Sequence, residues 1–270
     1  LPTDAEPHVP RELPLRGTDV EARVSGRVAE VYVTQRFEND GPEPIEAVYL
    51  FPLPAESAVD QMEMRIGDRV IEGVIRGRQE ARATYEQART EGRRAALLEQ
   101  QRPNLFAQRV ANIAPGDRID VRLRYVQTLP FEEGEYTLEF PMVAPRRFDP
   151  ARPVADELSD ETTEQATSVF ADELPPVSLH VEIEEGLPIT HLASPTHPRT
   201  ELRRRGETGA SIHLETQGEE RTRDFALRYG IGGAEPQATV LAHREAEDGF
   251  FSLLIQPPTT PDEASIAPRD

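Results

Sequence analysis

The feature that most constrains this chain is a two-residue alternation of apolar and polar side chains. Val24, Val28, Val31, Val33 and Phe37 mark it within residues 20–37, where β-branched residues are frequent. A strand points successive side chains to opposite faces, so such a run buries one face and wets the other. Asn39-Asp40-Gly41-Pro42 then makes a turn. A second strand passes through Ala47, Val48, Tyr49, Leu50 and Phe51. It ends at Pro52 and Pro54, which cannot donate to a ladder. Gly67-Asp68, between apolar stretches at 62–66 and 70–75, has the form of a hairpin turn.

The period changes once. Over residues 79–91, Ala81, Tyr85 and Ala88 recur at i, i+4 and i+7 among Arg and Glu, which predicts one short helix with a narrow apolar face. Gly92 is placed to terminate it. Strand character returns at 95–98, 105–113, 118–129 and 137–140, with Pro115-Gly116-Asp117 as a turn. A second series follows at 177–183, 189–192, 210–214, 224–229, 238–242 and 250–255. Spacing of this kind, with turn clusters between, predicts sandwich-like packing.

The expected fold is therefore all-β, with two antiparallel β-sandwich-like units and the helix on the first. Residues 1–14 read as a flexible arm and 15–145 as the first unit. Residues 146–176 read as an acidic, Pro-rich linker or loop, 177–256 as the second unit and 257–270 as a polar tail. No apolar run approaches the roughly 18 residues that a membrane-spanning helix needs. Leu1 does not open a basic-then-apolar leader pattern.

Composition excludes several chemistries. There is no Cys, hence no disulfide, thiolate nucleophile or Cys-ligated metal. All thirty basic residues are Arg. Schiff-base, lysine-isopeptide and P-loop lysine chemistry are thereby absent from these residues. The net charge of −19 argues against nucleic acid or anionic membranes as partners. A GC-rich genome and adaptation to salt both account for an acidic, Lys-free chain. Charge is uneven: residues 65–124 hold thirteen Arg against eight acidic residues. Local ion pairing explains this blandly, and a basic face for an acidic partner explains it sharply; the bland reading is preferred.

Specific sites are weakly signalled. His191 and His197 are the closest histidine pair, but six residues with an intervening Pro195 match no metal-ligand spacing. Residues 156–161, Asp-Glu-Leu-Ser-Asp-Glu, lack the Gly and terminal Glu of a calcium loop. Ser57 has no nucleophile-elbow context. Gly232-Gly233 follows a strand, but Pro236 leaves no convincing helix start for a phosphate loop. No catalytic, cofactor-binding or metal residue is assigned.

A set of ordered motifs carries more information. Val33-Thr34-Gln35-Arg36-Phe37-Glu38-Asn39 opens it, then Glu46-Ala47-Val48-Tyr49-Leu50-Phe51-Pro52-Leu53-Pro54. Ala81, Tyr85, Ala88 and Gly92 follow, then Ala96-Leu97-Leu98-Glu99 and Arg102-Pro103-Asn104-Leu105-Phe106. Ala111-Asn112-Ile113-Ala114-Pro115-Gly116 and Arg124-Tyr125 complete it. In this order, over about 100 residues, they resemble the VIT domain, the vault protein and inter-alpha-trypsin type. Each also has a sufficient folding reason. Tyr85 would pack on a sheet, Gly92 reverse the chain, and the Asn112 side chain cap exposed backbone groups.

The resemblance implies a von Willebrand factor A domain as neighbour, with a D-x-S-x-S metal motif that is absent here. Residues 248–258 are similar to the segment leading into such a domain, so one is expected after Asp270. By the same resemblance the chain is expected to be a non-catalytic module of an exported bacterial protein. It would be periplasmic, at the cell surface or extracellular, and would support binding to other proteins or to matrix. Self-assembly within a large complex is the alternative, and hydrolase activity the third reading.

Overall fold

The computed structural model describes residues 15–54, 56–74, 76–102, 105–142, 175–233, 235–245 and 248–257. The arm at 1–14, nearly all of the 146–176 segment with its acidic run, and residues 258–270 of the tail lie outside them. So do the side chains of 46–52 and 101–108.

The alternating run folds as a hairpin. β1 (Leu15–Ser25) and β2 (Val28–Glu38) pair antiparallel, with Ser25 opposite Val28. Gly26 makes the reversal at φ 56°, a conformation that costs most residues a Cβ clash. One face of the pair buries Val20, Ala22, Val24, Ala29, Val31, Val33 and Phe37. β8 (Arg118–Thr128) extends it beyond β2, burying Ile119, Val121, Leu123 and Tyr125. β4 (Ser57–Ile66) and β5 (Arg69–Glu72) complete that side.

The two strand series meet on the other side of β1. β11 (Val177–Glu184) pairs with it in parallel, from Thr18 opposite Val177 to Val24 opposite Ile183. β14 (Gly209–Glu215) and β13 (Glu201–Arg205) follow, giving one eight-stranded sheet in the order β13-β14-β11-β1-β2-β8-β4-β5. The seam between the series is thus a hydrogen-bonded strand pair, and it is parallel rather than antiparallel. A parallel pair cannot be closed by a tight turn, so a long connection separates its strands.

A second sheet covers the core. It comprises β12 (Ile189–Ala193), β15 (Phe225–Ile231), β10 (Glu135–Phe140) and β9 (Phe131–Glu132), in that order. β10 comes from the first series and β15 from the second, so this sheet also mixes the two. Phe225, Leu227, Tyr229 and Ile231 face Tyr136, Leu138 and Phe140 within one continuous apolar cluster. The all-β reading with one helix is borne out.

A three-stranded sheet, β3 (Ile45–Pro52), β7 (Leu105–Ile113) and β6 (Ala95–Arg102), carries α1 (Arg78–Thr90). Phe51 stands opposite Phe106 in its register, and Tyr49 opposite Gln108. Tyr85 packs with Leu97 and Ala111 in a small cluster, as the helical periodicity predicts. Leu98, one residue on, leans toward the main core. Finally β16 (Gln237–Glu245) and β17 (Asp248–Gln256) pair only with each other among the described residues.

Candidate functional site

Among the motif residues, Asn39, Gly92, Asn112, Pro115 and Gly116 lie in two structural knots. The first joins two turns. Asn39 is buried, and its Nδ2 donates to the carbonyls of Glu43 and Ile113, both at 2.8 Å. Its Oδ1 accepts from the Gly41 amide at 2.9 Å, and its carbonyl accepts from the Gly116 amide at 2.8 Å. Gly116, at φ 76°, lets the chain turn after Pro115. Asp117 accepts from Arg94 Nε at 2.6 Å and from the Ala114 amide at 3.0 Å. These bonds hold its carboxyl below the usual carboxylate range, the Arg94 guanidinium contributing most.

The second knot closes the helix. The Arg93 amide donates to Ala88 O, and the Gly92 amide to Arg89 O. With Gly92 at φ 70°, this is a Schellman ending. Asn112, itself at φ 57°, donates from Nδ2 to Arg89 O at 3.0 Å and Arg93 O at 2.8 Å. Asn112 thereby ties the last helical turn, where Arg89 O also takes the Gly92 amide, to the segment that leads into β6. Arg82 fastens α1 to β6 through Glu99 at 2.5 Å. Pro44, Ile45, Arg89, Thr90 and Asn112 line a surface depression of about 400 Å³ beside this knot.

Other sequence candidates are dispersed. The Ser57 hydroxyl donates to Pro54 O at 2.6 Å, a turn contact. His191 is exposed, 3.6 Å from Glu135. His197 is fully buried, its ring between Thr196 Oγ1 and Glu220 O and 5.7 Å from that of Phe225. One histidine is thus at the surface and the other in a loop core. Among the described residues no three His, Asp or Glu gather as metal ligands would. Tyr125 is buried in β8, and burial pushes its phenol up. The arginines of 65–124 pair with nearby acids: Arg94 with Asp117, Arg118 with Glu38, and Arg124 with both Glu30 and Asp60. That favours the bland reading of the uneven charge.

Two features escape the sequence patterns. Glu185, just past β11, is buried with a carboxyl that accepts from Tyr229 Oη at 3.0 Å and the Gly26 amide at 3.2 Å. Desolvation pushes it up to about 7 against the lowering effect of those two donors. Nothing distinguishes Glu185 among forty-nine acidic residues except the Gly186 beside it. The second feature is the β16–β17 hairpin. Val240, Phe250, Phe251, Leu253 and Ile255 are all more than half exposed.

Residues 15–125 match the family profile of the Vault protein inter-alpha-trypsin domain. These residues form a VIT domain. Mouse protein mono-ADP-ribosyltransferase PARP4 is 30% identical over 249 residues, 91% of this chain and 12% of that protein. Rat von Willebrand factor A domain-containing protein 5A is 35% identical over 123 residues, 45% of this chain and 15% of that one. Human inter-alpha-trypsin inhibitor heavy chain H4 is 31% identical over 120 residues, 44% and 13% respectively. The chain thus spans about an eighth to a seventh of the length of these relatives. An M1 zinc metallopeptidase from Deinococcus radiodurans superposes over 95% of this chain and 50% of its own. Its TM-score is 0.39 at 11% identity, a distance that bears on neither fold nor activity. The VIT match stops at Tyr125, whereas the similarity to the mouse protein runs through most of the second strand series.

Proposed function

We propose that this chain is a non-catalytic scaffold whose VIT domain supports a neighbouring von Willebrand factor A domain, which in turn binds protein or matrix. One observation carries the reading. Asn39, Asn112, Gly92, Gly116 and Tyr85, residues that mark the family, are occupied by contacts within the fold. Two groups of relatives support the choice of neighbour. One is named for A domains, the other for the inter-alpha-trypsin heavy chain. An exported protein, periplasmic or at the surface, is the setting that suits such a module and a chain without Cys.

The test is capture of partners with the whole protein and with this 270-residue chain. The proposal expects partners that the longer protein retains and the shorter one loses. Identical partner sets would contradict it. Turnover by the short chain on an esterase and glycosidase panel would overturn the non-catalytic part. Self-assembly is separable by light scattering, where the proposal expects a monomer.

A further inference from the structure

The two faces of the β16–β17 hairpin differ sharply. Register places Ala238, Val240 and Ala242 opposite Ile255, Leu253 and Phe251. These six side chains form one uncharged, outward face. Val240 is 58% exposed, Phe251 78%, Leu253 55% and Ile255 66%. The inward face carries Thr239, Leu241, Leu254 and Gln256, and it is seated on glycines. A methyl at Gly232 would stand 2.8 Å from Gln256 Cγ, one at Gly26 3.1 Å from Leu241 Cδ1, and one at Gly186 would collide with Thr239. Leu254 packs against the main core. The hairpin is therefore fixed by one face, with the other in water. A chain with charge −19 does not need four large apolar side chains in water, and a contiguous patch of this kind marks an interaction surface.

Two arguments on the molecule choose the occupant. A second copy would carry the same net charge of −19, and this overall like-charge repulsion opposes self-pairing. The polypeptide after β17 suffers no such bar from its tether. The fourteen residues from Pro257 to Asp270 reach at most about 50 Å when fully extended. Anything joined beyond them meets this face at an effective concentration on the order of millimolar. The mouse relative, matched over 91% of this chain, is about eightfold longer than the part matched. We infer that the outer face of β16–β17 is the seat of the A-type domain joined downstream, docked through Val240, Phe251, Leu253 and Ile255. This rests on the function proposed above and adds the surface by which support is given.

Hydrogen exchange on the hairpin amides tests it, in the 270-residue chain and in the natural protein extended through the downstream domain. Residues 237–245 and 248–256 should exchange at least tenfold more slowly in the longer protein. The double variant Phe251→Thr, Leu253→Thr should lose that difference. Because both side chains are exposed, β1 and β8 in the variant should stay protected, which separates lost docking from lost folding. Equal exchange in both lengths, or protection mapped to another face, would overturn the surface while leaving the scaffold function standing. A downstream sequence without an A-type domain would remove the function itself and the inference with it. A dimer of the short chain with its hairpin protected would assign the face to a second copy and overturn the inference.

Discussion

At the residue scale, a few polar side chains decide how loops meet the sheets. Asn39 is buried and bonds through its amide to three backbone partners. Replacing it with Ala leaves two carbonyls and one amide without their side-chain partner, and a buried group in that state, here Ile113 O, costs about 1–3 kcal/mol while the part-buried ones cost less. Relaxation recovers part of that. Asn39→Ala should lower unfolding free energy by about 2–3 kcal/mol in a urea titration, and a change under 0.5 kcal/mol would refute the role assigned to it. Glu185 gives a different signature. Its proton is held more tightly folded, near 7, than unfolded, near 4.5. The associated stability is complete below the unfolded value and falls as pH rises through the folded one, by about 3 kcal/mol in total. Glu185→Gln should flatten this decline between pH 4.5 and 7. Asp60, Asp117 and Glu220, lowered by their arginine partners, act oppositely and weaken the fold only in acid.

At the element scale, legibility in the sequence followed local physics. The strand character of 20–37, the Gly67 turn, α1 and its Gly92 ending were readable, because each rests on a period or a turn residue close at hand; the Gly26 reversal that divides β1 from β2, with Val28 exposed, was not. β13 was not. Glu201, Leu202, Arg203, Arg204 and Arg205 are all exposed, and an edge strand in water has no buried face to impose alternation. The β1–β11 pairing was not readable either. Its partners are about 160 residues apart, and no local pattern records a register across that distance. Glu185 was hidden for the same reason, since its donors come from the β1–β2 turn and from β15. Two outcomes follow at this scale. A fragment of residues 15–142 would bare the β1 edge from Thr18 to Val24 and the β10 edge that pairs with β15. It should oligomerise or precipitate, as judged by size-exclusion chromatography, whereas a soluble monomer with a sharp melt would show that the VIT domain stands alone. Gly186→Ala should push Thr239 outward and speed hairpin exchange about tenfold, with the eight-stranded sheet unchanged.

At the scale of the molecule, the identified domain and the strands after it share two sheets and one core. The neighbour proposed to follow β17 would therefore be joined to strands that rest on this shared core. Local ion pairs take up part of the excess of arginine in the first part. The side chains of Asn39, Tyr85 and Asn112 serve turns, packing and the helix end, and the exposed apolar face lies on the last described strands. This arrangement suits a support. The most direct test of that central claim is the affinity of one captured protein or matrix partner for the whole protein and for the 270-residue chain, measured side by side by surface plasmon resonance. The account predicts that the short chain binds at least a hundredfold more weakly. Equal affinity would place the binding site within these residues and contradict it.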